Sequence, residues 1–183
     1  MDDTVIKDAL SYALGSDLHE AWRAPRKKED GTFEPRIKIS KDEAWNANHG
    51  TDKVDIANCL FEELPSNWQY ENLEAARVAI ELVYDKTIAN EPITPEELEQ
   101  MGAIIHEEWL KRNPWVYDPN YGDPKLAVPY EQLSKEEQDK DKAQIGPAQI
   151  KVQAYMSGLI DITTICEQYG IQSSGKILKK SIL

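Results

Sequence analysis

The sequence predicts a mainly α-helical protein built from two tandem helical modules with short β elements. Three observations carry that expectation. His19-Glu20-Ala21-Trp22 recurs as His106-Glu107-Glu108-Trp109. The stretch from Phe61 to Val83 aligns without gaps to the stretch from Tyr130 to Val152. Four capping-box patterns, a hydroxyl residue followed three positions on by Glu or Gln, open helical segments at Ser40, Ser66, Thr94 and Ser134. A fixed internal repeat implies units that bury their apolar faces together.

Taken in order, Val5, Ala9, Tyr12 and Ala13 recur at helical spacing, continued by Leu18 and Trp22, and predict a helix over 4–22 that Ala24-Pro25 ends. A basic connection follows through Arg26-Lys27-Lys28, with a turn at Asp30-Gly31 and alternation at Arg36-Ile37-Lys38-Ile39 that suits a short strand. Ser40 opens a short helix ending near Gly50, and Val54, Ile56 and Leu60 suit either a strand or a short helix. The longest helix is expected over 66–88, burying Leu73, Ala76, Ile80 and Val83. Thr94-Pro95 starts another, carrying Leu98, Met101, Ile105 and Trp109 inward and stopping before Pro114. Four prolines and a glycine between 113 and 129 forbid a helix there. Ser134 opens a further helix that Gly146-Pro147 interrupts, with a separate helix over 147–157. Ile162, Ile165, Cys166 and Tyr169 mark a short amphipathic helix closed by Gly170. The organisation expected is a first, divergent module over 1–90, a second over 91–160, and a C-terminal short helix with a basic tail over 161–183.

Composition narrows the function classes. The chain has 183 residues, 40% of them hydrophobic, and carries a net charge of −12 from 33 acids against 21 bases. Counterion release on DNA or RNA needs clustered Lys and Arg, so the balance argues against direct nucleic-acid binding. No apolar run approaches the roughly 20 residues that span a bilayer, and the acidic N-terminus lacks a secretion-signal pattern. The expectation is a cytoplasmic protein without membrane association. Cys59 and Cys166 are expected as buried small hydrophobes, with no metal, zinc or redox centre and no cofactor.

The residues of the second module resemble a known family. His106-Glu107-Glu108-Trp109, then Trp115-Val116-Tyr117, then Leu126-Ala127-Val128-Pro129-Tyr130 with Leu133, then Lys140-Asp141 are similar to the ryanodine-receptor repeat domain over roughly 94–157. That family's pattern runs His-Glu-x-Trp, Trp-x-Tyr, Leu-Val-Pro-Tyr and a helix with an early Asp or Asn. Ala127 is an extra residue in the pattern, and Pro114 stands where the family usually has glycine. The first module matches through His19, Trp22, Cys59-Leu60-Phe61, Leu64-Pro65 and Asn72-Leu73, with Phe33 the candidate for the missing Trp-x-Tyr. Its connection is longer, 38 residues (23–60) against 20 (110–129). The family occurs in calcium-release channels and in small bacterial and phage proteins. The resemblance implies two helical arms joined through a short β element, a bacterial or phage source, and no catalytic residue. His19, Trp22, Phe61, His106, Trp109 and Tyr130 are then structural motif positions.

Candidate chemistry is sparse. A zinc-protease helix needs a second His four residues after the first, and Arg23 and Leu110 stand there instead. A His106–Glu107 acid–base dyad is conceivable, but a histidine satisfied by one structural hydrogen bond accounts for the motif. Gly170-Ile171-Gln172-Ser173-Ser174-Gly175-Lys176 has phosphate-loop spacing without the preceding strand or the magnesium-binding hydroxyl. Asp118, Asp123, Asp139 and Asp141 lack calcium-loop spacing and read as a solvated face.

The sharpest functional candidate is the proline-held aromatic loop. Trp115, Tyr117 and Tyr121 offer contact area at low entropic cost, and Arg112 and Lys125 could meet an anionic group. Whether Trp115 and Tyr117 form a site or cap the core is open at the level of sequence. The function expected is a non-enzymatic binding or interaction module whose partner is an unidentified protein or small molecule, with homo-oligomers compatible. Two alternatives stand beside it: a protein that binds or sequesters a small, nucleotide-like signal, and an acidic decoy that occupies a cationic surface. A hydrolase acting through His106 and Glu107 is the remaining one.

Overall fold

A computed structural model describes residues 1–172. The basic tail with Lys176, Lys179 and Lys180, and most of the Gly170–Lys176 segment, lie outside the described residues. The fold is mainly α, as the sequence predicts. In chain order the elements are α1 (Asp3–Arg23), β1 (Ile37–Ile39), α2 (Glu43–His49), β2 (Lys53–Asp55), α3 (Ser66–Ile88), α4 (Pro95–Arg112), α5 (Lys135–Lys142), α6 (Ile145–Met156) and α7 (Ile162–Tyr169). Short 3-10 turns stand at Ala24–Arg26, Phe61–Glu63, Pro114–Tyr117 and Tyr130–Gln132. No described helix is long and apolar enough to cross a membrane.

The chain divides into two compact units. The first holds Met1–Ala76 and the described residues from Ile162 on; the second holds Arg77–Asp161. The division falls inside α3.

In the first unit α1 supplies the apolar stripe Val5, Ile6, Ala9, Leu10 and Leu14, all buried. Asp2 caps it by accepting from the Thr4 amide at 2.8 Å. Helix α7 packs on α1; Tyr169 stacks on Tyr12 with centroids 4.6 Å apart and meets Phe61 edge-on at 6.4 Å. Gly170 at φ 67 then stops the helix. The long connection folds as an antiparallel β1–β2 pair, with Lys38 opposite Val54, and a Lys27–Phe33 bridge closed by Gly31 at φ 85. Arg23 pins this insertion to α1. Its Nη1 donates to the Ala57 and Cys59 carbonyls at 3.4 and 3.2 Å, its Nε pairs with Glu20, and its guanidinium lies 4.4 Å over the Phe33 ring.

In the second unit α4 packs on α5. Thr94 and Glu97 form a complete capping box, and Lys86 pairs with Glu97 at 2.9 Å. Lys86 and Thr94 together hold the Glu97 carboxyl down at about 2. Glu99 on α4 accepts from the Tyr130 hydroxyl at 2.8 Å and pairs with Lys142 on α5. Burial and that carboxylate push the Tyr130 hydroxyl up to about 12.

Several local expectations are corrected. Asp42, not Ser40, caps α2, accepting from the Trp45 amide at 3.0 Å. Gln69 does not reach back to the start of α3 but donates to the Phe61 carbonyl at 2.9 Å. Pro114–Tyr117 forms one 3-10 turn in the proline-rich loop, which four residues can do without a continued α-helical ladder. Helix α6 starts at Ile145, ahead of Gly146-Pro147, because proline is tolerated in a first turn whose amides have no intrahelical partner. Both cysteines are half-buried and free rather than buried. Trp22 and Trp109, expected in the core, are half-buried; the histidines occupy the inner positions instead.

Candidate functional sites: two clefts beside buried histidines

Each unit buries a histidine almost completely, although histidine as a type is only intermediate in burial. His19 is 2% exposed and His106 is 4% exposed. His19 Nε2 lies 2.9 Å from the Cys59 carbonyl oxygen, and His106 Nε2 lies 2.8 Å from that of Val128. A carbonyl only accepts, so Nε2 carries the proton in both rings. The contacts around the two rings match. His19 stacks on Trp22 at 5.8 Å and tilts against Phe61 at 6.4 Å; His106 stacks on Trp109 at 6.1 Å and tilts against Tyr130 at 6.5 Å. Gln138 donates to the Tyr130 carbonyl at 2.9 Å, as Gln69 does to Phe61.

A glycine one helical turn before each histidine makes room for the ring that follows. A Cβ at Gly15 would stand 3.2 Å from Phe61 Cζ, and one at Gly102 would stand 2.7 Å from the Tyr130 hydroxyl. Neither glycine interrupts the helical spacing of its segment, so neither stands out by periodicity. Both sit at the same distance from their histidine, and that shared spacing was the available signal.

Beside each histidine is a cleft walled by the motif tryptophan. In the first unit it measures about 280 Å³ and is lined by His19, Trp22, Arg26, Arg36, Lys38, Ile56, Leu64, Trp68, Glu71 and Asn72. The Arg26 guanidinium lies 4.4 Å over the Trp22 ring, and Lys38 Nζ lies 5.4 Å over Trp68. Trp68 is fixed by its Nε1 donating to the Ile39 carbonyl at 3.0 Å. Three cations and two indoles thus converge in a chain whose net charge is −12.

In the second unit the matching cleft measures about 240 Å³ and is lined by His106, Trp109, Leu126, Leu133, Glu137, Lys140, Asp141 and Gln144. At positions that correspond in the ungapped alignment, Trp68 gives way to Glu137, Glu71 to Lys140 and Asn72 to Asp141. Asp141 Oδ2 lies 3.5 Å from His106 Nδ1. At that separation the pair is an electrostatic contact rather than a short hydrogen bond. Burial pushes the Asp141 carboxyl up to about 6, with His106 pulling it down and Glu137 adding to the rise. The reading of Asp141 as part of a solvated face is therefore corrected: its side chain is 16% exposed and faces His106. The other three aspartates of that reading gather no metal cluster among the described residues. Asp118 and Asp123 instead accept from the amides of their own turns.

The aromatic loop is placed largely at the surface. Tyr121 and Lys125 are exposed, and Arg112 is half-buried. Trp115 is partly exposed, meets Trp109 edge-on at 6.1 Å and donates from Nε1 to Asn113 Oδ1. Val116, between the two motif aromatics, is the residue that enters the core. Tyr117 borders a separate recess with Leu110, Val128 and Pro129, rimmed by Glu107 and Glu131. Glu107 itself is exposed and pairs with Lys111 at 3.2 Å. Sequence reasoning missed Arg36, Lys38 and Trp68, because the insertion that carries two of them has no counterpart in the second unit. Searches of family models, curated proteins and solved structures find no match to this chain.

Proposed function

We propose that the protein is a non-enzymatic binding module of ryanodine-receptor-repeat type, and that its first unit binds a small planar anion of nucleotide-like chemistry. The observation that carries this reading is the cleft in which Arg26 and Lys38 lie over the Trp22 and Trp68 rings, with Arg36 at the rim. An aromatic plane stacks a base, and cations that have already approached those rings are placed for a phosphate. The tandem-repeat reading is supported by the paired histidine–carbonyl bonds, the paired glycines and the paired Gln–carbonyl bonds. A non-enzymatic role is supported by the histidines: each is buried and spends its Nε2 proton on a backbone carbonyl, which suits scaffolding better than proton transfer. The local excess of positive charge sets a small anion above the acidic-decoy reading.

Titration of the full chain with adenosine monophosphate, followed by tryptophan fluorescence and calorimetry, tests this. Saturable binding that weakens at least tenfold in the double variant Arg36→Ala, Lys38→Ala, and weakens with added salt, is expected. Tyr121→Ala with Lys125→Ala is the control, since both side chains are exposed and stability should not change. Loss of binding in that variant, with Arg36 and Lys38 dispensable, would return the site to the aromatic loop.

A further inference from the structure

The second unit's cleft has the chemistry for a ligand of opposite charge. We propose that it binds a small planar cation, an amidinium or guanidinium carried on an apolar or aromatic body, with Asp141 as counter-ion and Trp109 as the stacking wall. The proposal rests on the reading of these clefts as ligand sites, but uses none of the cationic residues of the first unit.

Four observations support it. Asp141 presents a carboxylate from within the cleft, and a planar cation with two parallel N–H donors meets a carboxylate bidentately. Gln144 belongs to the same lining, and its Oε1 is buried without a hydrogen-bond partner among the described residues. A buried acceptor of that kind costs free energy until a donor reaches it. Trp109 offers an indole face, and Leu126 and Leu133 offer apolar surface for the body of the ligand. A cleft of about 240 Å³ is below the roughly 300–1,000 Å³ typical of drug-sized ligands, so the occupant is small.

The charged groups around Asp141 define the expected pH behaviour. His106 faces it from α4; Glu137 and Lys140 stand on its own helix and pair with each other at 2.7 Å. The segment carrying Leu126 and Leu133 adds only apolar side chains to this lining. Binding a cation favours the ionised carboxyl, so binding competes with a proton. Affinity should rise with pH through about 6, where the buried carboxyl titrates, and level off above it.

Benzamidine is the probe, titrated into the full-length chain by calorimetry with NMR shift mapping. The expected result at pH 7.5 is one saturable site, at least tenfold weaker in Asp141→Asn, and about tenfold weaker in the wild type at pH 5. Asp141→Asn should fold, because the first unit builds the matching cleft with Asn72. Gln144→Leu, expected to weaken binding several-fold, gives a second reading that does not alter the charge. No saturation by about 10 mM, or equal affinity in wild type and Asp141→Asn, overturns the proposal. Benzamidine binding unaltered by Arg36→Ala with Lys38→Ala keeps this outcome separate from that of the adenosine monophosphate titration.

Discussion

Phe61→Ala is expected to lower stability by about 3–5 kcal/mol, among the largest effects of any single truncation here. The ring is fully buried. It lies under Gly15, tilts against His19 at 6.4 Å and meets Tyr169 edge-on at the same distance. Removing it leaves a void bounded by three separate segments: the middle of α1, the turn before α3, and α7. Those segments are fixed by their own helical hydrogen bonds and cannot all relax inward, so the cavity term adds to the lost transfer energy. The same void would loosen the His19 ring and with it the Cys59 carbonyl bond. Urea unfolding of the wild type and variant gives the difference directly. A loss below about 1 kcal/mol would mean that the unit collapses around the missing ring and that the His–Trp–Phe arrangement is not its core.

Much of this arrangement is legible from residues alone. The helical spans, the turn at Asp30-Gly31, the strand around Ile37–Ile39 and the Thr94 cap follow from spacing and capping chemistry, which are local. The duplicated His-Glu-x-Trp motif also marks the right place. What it does not reveal is which motif residue faces in. Histidine and tryptophan stand three residues apart on one helix face, and either could be innermost; the outcome depends on a carbonyl 22 or 40 residues away. Charge in the clefts is hidden for a related reason. Arg36 and Lys38 come from an insertion whose path is set by Arg23 holding the Ala57 and Cys59 carbonyls. That contact leaves no periodic trace. Asp141 reads as one acid in an acidic helix until α4 covers it.

Asp141→Asn is expected to make the protein more stable at neutral pH, by about 2–3 kcal/mol relative to the difference seen at pH 4. The direction follows from the carboxyl being pushed up to about 6 from its ordinary 3.8, with burial the main cause. A group with a raised folded value contributes stability that is fully present below the unfolded value and is lost as pH rises through the folded one. The wild type should therefore lose this contribution between about pH 4 and pH 7, and the variant, with no carboxyl to ionise, should not. Denaturant unfolding of both proteins across that range measures the term, since distant titrating groups are common to both and cancel; the same substitution in a His106→Gln background separates out the contribution of His106, which contacts the carboxyl. A difference that stays flat with pH would mean that Asp141 is solvated or firmly paired and imposes no such penalty. The expected sign also bears on function. The matching position in the first unit is already an asparagine, Asn72, so the architecture of the cleft does not require a carboxyl. A carboxylate kept at a cost in stability, beside a buried acceptor and an indole face, is what a site for a cation requires. The bound cation would offset the penalty, so benzamidine should raise the melting temperature of the wild type at pH 7.5 and leave that of Asp141→Asn nearly unchanged.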